Sequence, residues 1–130
     1  MRLLLLLPTM LFLVGCSTTT STMTEGGPEP LVYEESYDAV WRNAIDAITS
    51  LNWRINHTEK DSGIINADTP TSMSTWGDTI RFRVKKTNNE KVQIDASSTT
   101  EQTIDWGKNT RNIEKAFNEI DKRINKNSNG

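Results

Sequence analysis

Of the residue types that carry chemistry, this chain offers few: one His, His57, one Cys, Cys16, and four Trp. A zinc site draws on several His, Cys or clustered carboxylates, so no ligand set for a metal is present. No GxSxG step holds a nucleophilic Ser on a strained turn, and no glycine-rich phosphate loop occurs. His57 falls on the inward side of an alternating stretch and reads as a rim or core histidine. The acidic pair Glu34-Glu35 lies just ahead of a helical pattern and reads as solvated charge. The expectation is a non-enzyme with no catalytic residue, no metal and no cofactor.

Tryptophan placement is the unusual feature. Thr75-Trp76-Gly77-Asp78 and Asp105-Trp106-Gly107-Lys108 repeat a Trp-Gly step in two segments that read as loops. In an up-and-down sheet, strand one starts, strand two ends, strand three starts and strand four ends at the same edge of the domain. Trp53, Trp76 and Trp106 are therefore expected to gather there as a candidate binding patch, since Trp is enriched at binding hot spots and tolerates partial exposure. The competing reading is a hydrophobic lid, because Trp76 shares parity with Ile80, Phe82 and Val84.

The chain has 130 residues, 35% hydrophobic and 25% charged, which suits one folded domain and is too apolar for a wholly disordered chain. Formal charge is -2, and removing residues 1–15 deletes Arg2 and makes it more negative by one. That balance excludes nucleic acid as a partner, whose binding rests on clustered Lys and Arg. A single Cys forbids an internal disulfide, so packing alone must hold the fold.

Met1 and Arg2 give a positive start, and Leu3 to Val14 form an apolar run broken only by Pro8 and Thr9. The run is too short to cross a bilayer core, which needs about 20 helical residues, and has the shape of a secretory signal. It ends in Leu13-Val14-Gly15-Cys16. This tetrapeptide resembles the lipobox of bacterial lipoproteins. That resemblance implies cleavage between Gly15 and Cys16, a diacylglyceryl group on the Cys16 thiol and an acylated new amino terminus. Several acyl chains anchor a protein stably where one is marginal. Ser17 in place of Asp resembles proteins sent to the outer membrane, which implies a lipid-anchored protein of the cell outer membrane facing the periplasm. Asn56-His57-Thr58 would be a glycosylation acceptor in a eukaryotic secreted protein and is coincidence in a bacterial one.

Four segments are expected: a signal peptide over 1–15, the lipidated Cys and a flexible tether over 16–30, an α+β domain over 31–126, and a disordered tail over 127–130. Ser17 to Pro30 reads STTTSTMTEGGPEP, too poor in apolar residues to order itself, with a reach of roughly 20 Å. From Ser36, a natural N-cap, Tyr37, Val40, Trp41, Ala44, Ile45, Ile48 and Leu51 recur at helical spacing.

Trp53, Ile55 and His57 then alternate with polar residues as a first strand. The turn Asp61-Ser62-Gly63 leads into a second, Ile64 to Asp68, which places His57 beside Ala67 and leaves Ile64 outward. The third strand, Thr79 to Lys85, sends Ile80, Phe82 and Val84 one way and Arg81, Arg83 and Lys85 the other. A loop of Thr87-Asn88-Asn89, with Asn89 at positive φ, leads to a fourth strand, Val92 to Ser98. It sets Arg81 across from Asp95 and gives Val84 an even-numbered partner. The basic row reads as a solvated face paired with Asp95, or as a contact for anionic lipid headgroups. Ile113, Ala116, Phe117, Ile120 and Ile124 line a second helix.

The fold class is thus α+β, in two layers and the order helix-strand-strand-strand-strand-helix: an antiparallel four-stranded sheet with both helices on one face. YDAVWRNAIDAI, followed by the strand and DSGII, resembles the helix-grip modules of small envelope lipoproteins, including the lipoprotein subunit of the outer-membrane β-barrel assembly machine. The expected function is a membrane-anchored lipoprotein acting as a non-enzymatic protein-binding or assembly module of the cell envelope. Its partners would be membrane lipid, through acylated Cys16, and an envelope protein. The alternative is a structural or stress-related envelope protein that binds peptidoglycan or a small ligand through its Trp-bearing loops.

Overall fold

The computed structural model describes residues 28–70, 76–98 and 106–130. The leader, the Gly15-Cys16 junction and the tether up to residue 27 lie outside the described residues. The elements run β1 (Leu31–Tyr33), α1 (Tyr37–Ser50), β2 (Arg54–Glu59), β3 (Ile64–Pro70), β4 (Trp76–Lys86), β5 (Val92–Ser98) and α2 (Trp106–Ser128).

Ser36 starts α1 as the sequence suggests, its hydroxyl oxygen accepting from the Ala39 N–H at 3.2 Å, with Asp38 in the first turn where the helix dipole favours an anion. The helix ends because Asn52 adopts a left-handed φ of 59°. The Asn52 N–H then donates to the Thr49 carbonyl at 3.0 Å and the Trp53 N–H to the Ile48 carbonyl at 3.4 Å, the paired closure of a Schellman motif.

The expected four-stranded sheet with both helices on one face is corrected. Five antiparallel strands pair in the order β1-β5-β4-β3-β2. The helices do not roof this sheet evenly: α1 meets β4 and β2, α2 meets β5, and the two pack along each other. The fifth strand is β1, three residues that pair with three of the seven residues of β5. Leu31 and Tyr33 turn inward, and the Tyr33 hydroxyl donates to Asp121 Oδ1 on α2 at 3.1 Å. Burial, with the charge and hydrogen bond of Asp121 behind it, pushes the Tyr33 phenol far above its ordinary value. Pairing cannot continue in the same way beyond Leu31, because Pro30 and Pro28 have no N–H to donate.

One core joins the layers. It takes Ile65 and Ala67 from β3, Ile80, Phe82 and Val84 from β4, Val92 and Ile94 from β5, and the expected α2 stripe of Ile113, Ala116, Phe117, Ile120 and Ile124. The α1 face that meets it is rotated from the expected one. Val40, Ala44, Ala47 and Ile48 are buried, while Tyr37, Trp41 and Ile45 are only partly covered. At its end α2 continues through residues 127 and 128, where Asn127 donates to Asn43 Oδ1 at 2.8 Å and Ser128 to Glu35.

Two registers differ from expectation. A bulge between Ile55 and His57 sets Ile55 opposite Ala67 and His57 opposite Asn66, so His57 is exposed instead of inward. Between β4 and β5 the turn is longer than expected. Thr87 N–H donates to the Lys91 carbonyl at 2.8 Å, and Glu90, not Asn89, takes the positive φ, at 60°. Arg83 therefore faces Asp95 and Arg81 faces Ser97. The slip is by two residues, so Val84 still opposes an even-numbered residue, Ile94, and the core face is preserved.

The β2–β3 turn uses Gly63 at a φ of 74°. Its carbonyl accepts from the Val84 N–H at 2.7 Å, and a Cβ on it would stand 1.8 Å from the Val84 carbonyl oxygen. Beside this contact the Tyr37 hydroxyl donates to the Lys60 carbonyl at 2.7 Å, tying the turn to the start of α1.

Candidate functional site

At one end of the sheet β2 and β4 begin while β3 and β5 end. The Schellman closure of α1 delivers Trp53 to this end directly before Arg54. The Trp53 side chain is only 5% exposed, and its ring is tilted against Phe82 with centroids 6.5 Å apart. Trp76 opens β4 at the same end, its backbone paired with Pro70, and Trp106 is the first residue of α2. Of the three tryptophans expected as a patch, Trp53 thus belongs to the core. Trp53→Phe, which keeps an aromatic ring but loses volume there, should cost about 1–2 kcal/mol in a urea melt.

Next to Trp53 lies a polar cluster that the sequence patterns did not single out. Asp68 is 6% exposed although its strand parity points it away from the core. Its Oδ2 accepts from Arg54 Nη2 at 2.7 Å and Nε at 3.2 Å, and its Oδ1 from Asn56 Nδ2 at 2.7 Å and Thr79 Oγ1 at 2.6 Å. Burial pushes this carboxyl upward, but the hydrogen bonds from Thr79, Arg54 and Asn56 and the charge of Arg54 together outweigh it and hold Asp68 below its ordinary value. A carboxylate has about four acceptor directions, and all are filled. With its oxygens committed to donors from both neighbouring strands, Asp68 clamps β2, β3 and β4 together. Arg54 and Thr79 face Asp68 across the two strand pairs, and the bulge at Asn56 turns a third donor to the same side. The signal in the sequence was an acidic residue in a strand, where Asp is depleted, one step beyond Ala67.

Among the described residues, no group of three or more His, Cys, Asp or Glu is arranged to hold a metal ion, and no helix is long and apolar enough to cross a membrane. The sequence matches the family described as protein of unknown function, DUF1499, over residues 16–120. The chain belongs to the DUF1499 family. No curated protein matches it.

Two further surfaces of this DUF1499 chain are open. On α1, Tyr37 and Trp41 stack with ring centroids 6.3 Å apart and an interplanar angle of 14°, forming a half-exposed aromatic ledge. Its polar rim carries the ion pair between Lys60 and Asp38 at 2.7 Å, whose hydrogen bond and charge hold the Asp38 carboxyl below its ordinary value. The helical period had placed Trp41 in the buried stripe. Rotation of the buried α1 face toward Ala47 leaves Trp41 at the margin. The second surface is the outer face of the sheet, where Arg81, Arg83 and Lys85 are exposed along β4.

Proposed function

We propose that this DUF1499 chain is a membrane-anchored bacterial lipoprotein whose α+β domain acts as a non-enzymatic protein-binding or assembly module of the cell envelope. The observation that carries this reading is Leu13-Val14-Gly15-Cys16 directly behind a charged start and an apolar run. Cys16 then holds the lipid and residues 17–30 tether the domain to the outer membrane on its periplasmic side. Support for binding over catalysis comes from the saturated Asp68 and from the ledge of Tyr37 and Trp41. Aromatic side chains on a polar-rimmed surface are the groups that dominate protein interfaces.

Mass spectrometry of the mature amino terminus tests the anchor. The expected product begins at Cys16 with a diacylglyceryl group on sulfur and an acyl group on nitrogen, and Cys16→Ala should accumulate as unprocessed precursor. A bare thiol at residue 16, or normal maturation of the variant, would refute the reading. Crosslinking in intact cells tests the binding role, with an envelope protein expected to be captured by a photoreactive group placed at exposed Arg42, beside the ledge, and lost when Tyr37→Ala/Trp41→Ala is added.

A further inference from the structure

Resting on the lipoprotein reading, we propose that the outer face of the sheet is the surface laid against the bilayer, with the anionic phosphates of lipid headgroups as its ligand. Arg81, Arg83 and Lys85 project from the central strand of this face and are exposed. Lys85 is paired with Asp95 at 3.0 Å and Arg81 Nε donates to Asn66 Oδ1 at 3.2 Å, whereas the Arg83 guanidinium has no ionic or hydrogen-bonding partner among the described residues. The basic row therefore holds one uncommitted cation and a second that is bonded only to a neutral side chain. Both suit phosphate, which Arg binds through a fork of donors.

Two further features of the same face fit a membrane. Val32, 51% exposed, is paired with Gln93, which is paired in turn with Lys85, so an apolar side chain stands two strand spacings, about 10 Å, from the cationic row. The tether joins the domain beside it. Leu31 faces Ile94, so Pro30 enters next to Asp95, the residue across from Arg83. On the lipoprotein reading, a tether of fourteen residues of this composition would reach roughly 20 Å, about twice the roughly 10 Å over which a charged surface is felt. A domain held within that distance by its β1 edge meets the headgroup layer often, and the face with the free cation and the exposed Val32 is the one favoured there.

The orientation can be read with nitroxide labels on the acylated mature protein in vesicles doped with a nickel-chelating lipid. Ser97→Cys places the label on the outer face opposite Arg81, and Lys122→Cys places it on exposed α2. In vesicles of phosphatidylcholine and phosphatidylglycerol, relaxation by nickel should be stronger at residue 97, and the difference should vanish in phosphatidylcholine alone or in high salt. Arg81→Gln/Arg83→Gln should lower the ratio of face-down to other orientations about 25-fold, from about fivefold for each cation near an anionic surface, while Arg81→Lys/Arg83→Lys should retain it. Equal relaxation at the two sites in anionic vesicles, or stronger relaxation at residue 122, overturns the orientation while leaving the anchor standing. A mature chain that carries no acyl group overturns both.

Discussion

Replacing Gly63 by Ala should cost the domain about 4 kcal/mol or more, which removes from about a quarter to most of the usual 5–15 kcal/mol of total stability. Two effects add. The residue holds a φ of 74°, where an L side chain is strained. The new Cβ would also meet the Val84 carbonyl oxygen at 1.8 Å, and that oxygen is backbone of the central strand, which cannot rotate aside. Relief means pulling the turn off β4, which breaks the 2.7 Å bond from the Val84 N–H to the Gly63 carbonyl and the anchor of the Tyr37 hydroxyl on Lys60. Urea denaturation followed by Trp fluorescence reads the loss. Ser62→Ala, one residue away and exposed, serves as control and should change stability by less than about 0.5 kcal/mol.

The second large effect concerns Asp68. Asp68→Ala removes the common acceptor of Arg54, Asn56 and Thr79 and should cost about 2–4 kcal/mol, less than a fully buried pair because the Arg54 side chain is 52% exposed and regains water. The pH dependence has a definite sign. Asp68 titrates below its ordinary value of 3.8, so its contribution is fully present above that value and is lost as pH falls through the lower folded value. The urea midpoint of the wild type should therefore drop below about pH 4, while Asp68→Asn should start lower and lose this part of the acid dependence. A variant curve parallel to the wild type would show that another carboxylate governs the acid limb.

How much of the fold and site was legible in the sequence depends on the length of each pattern. Ile80, Phe82 and Val84 set against Arg81, Arg83 and Lys85 give three full periods of two, and they define the central strand without ambiguity. Ser36 and Gly63 announce themselves by chemistry that few other residues supply. Leu31, Val32 and Tyr33 are too few to show any period, so the fifth strand was invisible until its partner β5 was placed. His57 was misjudged because alternation assumes one residue per step, and the bulge at Asn56 inserts an extra one. The β4–β5 register failed at Glu90, where the ladder selected a longer turn although Asn89 is the better left-handed residue. Asp68 needed both registers at once, since its donors come from strands on either side. For Cys16 the position is reversed: its role is argued from a sequence motif, and it lies outside the described residues.

Both borders of the sheet are finished in a way that discourages copying. On one side β1 stops after three residues at Pro30, with Pro28 two places further on. On the other, the bulge at Asn56 interrupts the even spacing that a docking strand would need. At high local concentration an unguarded ribbon would propagate from one molecule to the next. Crowded together, these domains can touch without polymerising.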